Sequence, residues 1–306
     1  VVWEKALPFT SFSISWYQAD RNVHEDTFYL LAGGVGGGFH DRVQKYDKHG
    51  NLLWGLALIP NLHSVSANPV DGGAYVTDKL AVYRLSPDGA VLWGPLNFGF
   101  SGEYWQVATD VTTGGFYATS LRSNAVIKAD REGNPIWTRS IAEANYPIAI
   151  PLDGGVYVNS YDGDTYRLDK DGNTLWVKYS FPSPYTYARG VSPVDGSLYI
   201  VSGWPSRLAR VAMDGTVLWN IQNDDYAGHV FANEAIAPDL HDDVFYSAES
   251  FIDHGLSKFN AADCSRIWHF DPGHDGEIFR VYVGFPSMVQ PSSGIGVVLD
   301  IHPGSC

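Results

Sequence analysis

The sequence predicts an all-β fold, a β-propeller of seven blades with four antiparallel strands each. Three observations carry this: a tryptophan recurring at near-constant spacing, a hairpin phrase that recurs with it, and a composition suited to strands and turns. Seven of the ten Trp, namely Trp3, Trp54, Trp93, Trp137, Trp176, Trp219 and Trp268, are separated by 51, 39, 44, 39, 43 and 49 residues. That period is the length of one propeller blade. With 14% aromatic and only 18% charged residues, 32 Gly and 17 Pro among 306, the chain has the makings of short strands and tight turns.

The elements of a blade can be read in order. Its last hairpin is the phrase KYDKHGNLLW (45–54), RLSPDGAVLW (84–93), KADREGNPIW (128–137), RLDKDGNTLW (167–176), RVAMDGTVLW (210–219) and KFNAADCSRIW (258–268). Each copy opens on a basic residue, and most turn at an Asp-Gly-like pair, where Gly accepts the positive φ of a tight hairpin. Upstream lies a second turn-to-strand marker: DTFYLL (26–31), DGGAYV (71–76), TGGFYA (113–118), DGGVYV (153–158), DGSLYI (195–200) and DDVFYS (242–247). A short apolar stretch such as SVSANPV or PIAIPL precedes it as the first strand. No segment keeps helical periodicity over three turns. Trp54, Trp93, Trp137, Trp176, Trp219 and Trp268 then occupy one outer-strand position and pack between neighbouring sheets.

Six units are complete and the seventh is split. VVWEKAL at the start resembles a last strand, and RVYVGFPSMVQP followed by GIGVVLD resembles the first strands of a blade. Residues 1–8 are therefore expected to close the final blade, making residues 1–306 a single domain. Donation of the same strand to a neighbouring chain would instead build a homo-oligomer or filament.

The unit (K/R)-φ-D-x-D-G-N-φ-φ-W, with φ apolar and clearest in YRLDKDGNTLW (166–176), resembles the PQQ-like repeat of the quinoprotein-type propeller superfamily. The resemblance spans residues 1 to about 300. It implies the fold but leaves function open, because the superfamily holds dehydrogenases, sulfotransferases, assembly lipoproteins and binding modules. Quinoprotein dehydrogenases have eight blades and adjacent cysteines near the cofactor, whereas Cys264 and Cys306 are far apart. Arylsulfotransferases are longer and carry an additional β domain.

Candidate chemistry is sparse. The basic column Lys45, Arg84, Lys128, Arg167, Arg210 and Lys258 recurs with the architecture, and an Asp two residues on, at Asp47, Asp130 and Asp169, suggests same-face or cross-blade ion pairing. Asp169-Lys170-Asp171-Gly172-Asn173 lacks the ligand spacing of a calcium loop and reads as a turn. The ten His form no HExxH motif, and there is no nucleophile elbow or phosphate loop. No metal site and no cofactor are expected.

Ligand-binding candidates lie on loops entering the innermost strands: His63, Trp105, Tyr146, Tyr187, Arg189, His229 and Glu234. Aromatic rings mixed with polar groups suit a sugar or small polar ligand. Cys264 and Cys306, the only cysteines, are expected to form a disulfide outside the cytoplasm.

Twenty Lys and Arg against 34 Asp and Glu give a formal charge of −14, which repels phosphate backbones and anionic lipid; nucleic acid is excluded as a partner. No apolar run approaches the roughly 20 residues of a membrane span, so no membrane insertion is expected. The opening Val1, without a leader, suggests a processed chain. The reading is a secreted, noncatalytic propeller, extracellular or periplasmic, serving as a structural, adhesive or carbohydrate-associated module whose partners are other protein chains or a glycan. The alternative is a periplasmic quinoprotein-like or arylsulfotransferase-like enzyme with its site at the central channel.

Overall fold

The computed structural model describes residues 19–22, 25–33, 40–99, 105–120, 122–160, 162–179, 186–203, 206–222, 230–238, 244–250, 255–270, 280–283 and 295–298. Every regular element among them is a strand. Trp3, the proposed closing strand 1–8, His229 and Cys306 lie outside the described residues.

The strands group into sheets of four, taken in chain order. The first sheet holds β1 (Ala19–Asn22), β2 (Thr27–Gly33), β3 (His40–Asp47) and β4 (Leu52–Leu62). The second holds β5 (Ser64–Ala67), β6 (Ala74–Thr77), β7 (Val82–Leu85) and β8 (Val91–Leu96). The third holds β9 (Trp105–Thr109), β10 (Phe116–Ser120), β11 (Ala125–Ala129) and β12 (Pro135–Ser140). In the fourth are β13 (Ala144–Ala149), β14 (Val156–Ser160), β15 (Asp164–Leu168) and β16 (Thr174–Tyr179). The fifth comprises β17 (Thr186–Val191), β18 (Leu198–Gly203), β19 (Ser206–Val211) and β20 (Val217–Gln222). The sixth comprises β21 (Val230–Pro238), β22 (Val244–Ser250), β23 (Gly255–Asn260) and β24 (Arg266–Phe270). A final antiparallel pair, β25 (Arg280–Val283) and β26 (Ile295–Val298), follows.

The chain divides into two compact units. Among the described residues, one holds 19–160 and 167–174, and the other holds 162–166 and 175–298. In the first unit β1 packs beside β5, β5 beside β9 and β9 beside β13. The middle strands β6, β7, β10 and β11 are buried at every position, as strands covered on both faces must be. One core cluster joins Tyr29, Leu31 and Val43 to Val65, Val76 and Leu85, and another joins Tyr75 and Val82 to Val107, Phe116 and Ile127. In the second unit the same role falls to Tyr199, Val201, Leu208, Ile236, Phe245 and Phe259.

The six Trp sit on β4, β8, β12, β16, β20 and β24, the fourth strand of each sheet. What holds the first five is the hairpin of the following sheet. Trp54, Trp137, Trp176 and Trp219 donate their indole N–H to the carbonyls of Pro87, Lys170, Met213 and Ala261 at 2.7–2.9 Å. Gly172 has a φ of +82°, and a Cβ there would lie 2.8 Å from the Trp137 ring. The glycine of the repeated turn thus serves both the turn's left-handed backbone and the approach of the neighbour's indole.

Candidate functional site

The repeated side chains form a row across each sheet. Tyr29 pairs with Lys45 and Lys45 with Trp54 in register; Tyr117, Lys128 and Trp137 do the same, as do Tyr199, Arg210 and Trp219. Each cation lies over its tyrosine ring, at 5.2 Å for Lys45, 4.9 Å for Lys128, 5.3 Å for Arg167 on Tyr157 and 5.5 Å for Arg210. Away from solvent such a contact is worth roughly 1–2 kcal/mol. The tyrosine hydroxyls reach the next sheet, Tyr29 donating to the Gly72 carbonyl at 2.5 Å and Tyr75 to that of Gly114 at 2.6 Å. Burial first, and nearby carboxylates second, push the Tyr29 and Tyr117 hydroxyls well above the usual phenol range. They remain neutral donors.

The charges opposite this column differ from the sequence expectation. The carboxylates come from the first hairpin of the same sheet: Glu25 on Lys45 at 2.7 Å, Asp71 on Arg84, Asp110 on Lys128 at 3.0 Å, Asp153 on Arg167 and Asp195 on Arg210 at 2.8 Å. Asp47, Asp130 and Asp169, two residues beyond the cation, instead close the exposed turns. Asp169 accepts from the backbone N–H groups of Asp171 and Asn173 and from the Asn173 amide. Burial is the largest single influence and opposes its ionisation, but those hydrogen bonds together outweigh it and hold its carboxyl below the usual range. The physical reason for the difference is the bulge after each cation, seen between Lys45 and Tyr46, Lys128 and Ala129, and Arg210 and Val211. It separates the buried row from the turn that follows.

Five of the six cations are therefore committed to ion pairs with their own sheet's first hairpin. Lys45, Arg84, Lys128, Arg167 and Arg210 are all buried, and Arg210 spans to the next sheet through the Ala261 carbonyl at 2.6 Å.

The candidates at the first strands are distributed as follows. His63 immediately precedes β5, its backbone N–H bound to the Thr77 carbonyl at 2.7 Å. Trp105 opens β9 and Tyr146 lies in β13, half-buried. Tyr187 and Arg189 lie in β17, and Glu234 in β21. The first strands that carry them are stitched laterally: Asp20 accepts from Ser66 Oγ at 3.0 Å and the Ala67 N–H at 2.9 Å, and Ser66 Oγ accepts from the Thr109 N–H at 3.0 Å. In the first unit His63 thus leads into the strand that adjoins Trp105's, and Arg189 and Glu234 sit on adjoining strands in the second. Sequence reasoning missed the register shifts of β13, β17 and β21, which coincide with Tyr146, Arg189 and Glu234; no repeated phrase marks them.

It also missed a hydrogen bond of 2.9 Å between Ser257 Oγ and His269 Nδ1 across β23 and β24. Ser257 is completely buried, so the pair packs and offers no nucleophile to a substrate. Among the described residues no group of three or more His, Cys, Asp or Glu could hold a metal ion. Cys264 is buried in the last hairpin of the sixth sheet, and burial pushes its thiol up to about 12.

A second repeated feature faces outward. The residue before each tryptophan, Leu53, Leu92, Ile136, Leu175, Leu218 and Ile267, is aliphatic and 48–57% exposed. Three of these lie in each compact unit.

The sequence pattern of the family PQQ_2, described as outer membrane protein assembly factor BamB, matches residues 39–222. No curated protein matches the chain in sequence. Among solved structures, the β-propeller domain of Cps50 (Swd1) from Myceliophteria thermophila is similar with a TM-score of 0.64 at 11% identity, covering 90% of this chain and 92% of that one. A chain in the mitotic checkpoint complex is similar at TM-score 0.69 and 13% identity, covering 92% and 89%. A protein of unknown function from Bacteroides caccae is similar at TM-score 0.54 and 14% identity, covering 83% and 97%. These likenesses show the β-propeller fold.

Proposed function

The chain belongs to the PQQ_2 family, described as outer membrane protein assembly factor BamB, and from that premise we propose that it is a noncatalytic interaction module that binds other protein chains along its outer strands. The observation that carries this is the half-exposed aliphatic before each of the six blade tryptophans. A sheet edge open to water gains nothing from Leu or Ile there, yet all six copies keep one. Each would contribute about 1 kcal/mol on being covered, at roughly 25 cal/mol per Å², and repetition multiplies weak contacts along a partner.

The groups that acid–base chemistry would draw on are committed elsewhere, the buried cations to carboxylates and tyrosines. A location outside the cytoplasm, extracellular or periplasmic, is supported by the family's description, and pairing of Cys264 with Cys306 belongs with that location. The reading also includes a seventh blade closed by residues 1–8.

A photoreactive amino acid placed at Leu92, Ile136 or Leu218, with exposed Lys170 as control, tests the module in its source cells. The expected result is one discrete protein adduct at the aliphatic positions, identified by mass spectrometry and absent at Lys170. An adduct containing this chain's own peptides would make the partner a second copy. Adducts that are absent, or identical at Lys170, would refute the reading.

A further inference from the structure

Three first strands depart from regular pairing. The register shifts between Ala144 and Pro147 in β13, between Ala188 and Gly190 in β17, and between Phe231 and Ile236 in β21. The pairings of β1, β5 and β9 carry no such shift. In β13 the two residues that the ladder skips are Asn145 and Tyr146, and both are half-buried, as are the regularly paired Ile148 and Ala149. A residue left out of the ladder is re-aimed, which is why bulges gather beside binding sites.

β17 and β21 adjoin within one compact unit. Gly190 permits the approach, since a Cβ there would lie 2.9 Å from Pro238 and 3.0 Å from the Ile236 carbonyl. The residue left over in β17 is Arg189. In β21 residues 232–235, which include Asn233 and Glu234, stand against Ala248 alone. The topology thus brings an arginine, an asparagine and a glutamate to two neighbouring strands, at the places where the ladder lapses, with Tyr187 nearby on β17.

We propose that the adjoining bulges of β17 and β21 form a binding site for a neutral carbohydrate. The donor and acceptor chemistry selects this class. Arginine offers only donors, an ionised glutamate only acceptors, and asparagine both, which together match vicinal hydroxyls that must donate and accept at once. An anionic sugar would meet Glu234 in a chain of formal charge −14, and an ammonium ligand would meet Arg189. Neutral, hydroxyl-rich ligands satisfy both, and a tyrosine supplies a flat ring for the apolar face of a pyranose. This site stands apart from the outer-strand aliphatics, so it goes beyond the protein-binding reading.

The test uses the full chain with maltotetraose, cellotetraose and chitotetraose as probes, read by saturation-transfer NMR and titration calorimetry. At least one tetraose binds, and Arg189→Met and Glu234→Gln each weaken it about tenfold or more, a change of one decade in Kd. Lys170→Met, in an exposed turn, leaves that binding unchanged. Asn233→Ala provides a third variant should either of the first two unfold, and melting curves separate the cases. If Arg189 and Glu234 merely pair with one another, their variants lower the melting temperature and leave sugar binding intact, which overturns the proposal. So does failure of all three sugars to bind at about 10 mM, above the ~1 mM of a weak site. Neither failure touches the cross-linking test, and failure of cross-linking does not touch this one.

Discussion

Replacing Lys128 by Met is the most direct test of the row as the element that locks sheet to sheet. The Lys128 ammonium meets Asp110 at 3.0 Å, with the two side chains 6% and 1% exposed. It also donates to the carbonyls of Gly154 at 3.2 Å and Lys170 at 3.3 Å in the next sheet. Those carbonyls keep other donors, the Tyr117 hydroxyl and the Trp137 indole. The cost therefore centres on Asp110, left as a buried carboxylate without its counter-charge. Removing one partner of a buried pair costs about 3–5 kcal/mol, and at about 2–4 °C per kcal/mol for a large domain the melting temperature falls by about 10 °C.

The double variant Lys128→Met/Asp110→Asn should recover most of the loss, because neither charge remains. Lys170→Met, which removes an exposed pair with Asp171, should cost almost nothing. Urea unfolding of the four proteins decides the matter. A Lys128→Met deficit no larger than that of Lys170→Met, or a double variant worse than the single, would refute the reasoning.

The pH dependence has a definite sign. Burial alone would raise the Asp110 carboxyl, but hydrogen bonds from Thr112 and Lys128 and the Lys128 charge hold it below the ordinary carboxylate range. A depressed folded value gives stability that is present above the unfolded value and is lost as pH falls through the folded one. The Lys128→Met deficit is accordingly largest near neutrality and shrinks once acid protonates Asp110.

Two further outcomes follow from the turns. Gly172→Ala puts a side chain at φ +82° and 2.8 Å from the Trp137 ring, whereas Gly99→Ala, at φ +76°, has nothing within 4 Å; both carry the left-handed cost of about 1–2 kcal/mol, and thermal melting should show Gly172→Ala as clearly the more damaging. Thiol titration of denatured protein tests the expected Cys264–Cys306 bridge: two thiols that appear only after reduction support it, and two without reductant refute it.

How much was legible in the sequence depended on whether an interaction was local or repeated. The Trp phrase marked the fourth strands because turn, glycine and indole recur within ten residues, and the tyrosines of the second marker fell in register with the cations. The carboxylate partners were harder, since Asp71, Asp153 and Asp195 lie 13–15 residues before their arginines. A signal was nonetheless present: the Asp opening DGGAYV, DGGVYV and DGSLYI is itself a repeated column, and reading it only as a turn residue hid its second task. The first strands resisted for the opposite reason. Where they matter most they break the repeat, and a break leaves no pattern to count. Arg189 and Glu234 could be suspected from residue type alone, but that a glycine lets their strands close on each other, at two lapses of the ladder, is a property of register that only the fold expresses. In a repeat protein the common positions specify the scaffold, so individuality must be sought where one copy departs from its siblings. On that argument the unequal first strands, and not the matching rows, are where the sheets of this propeller differ from one another.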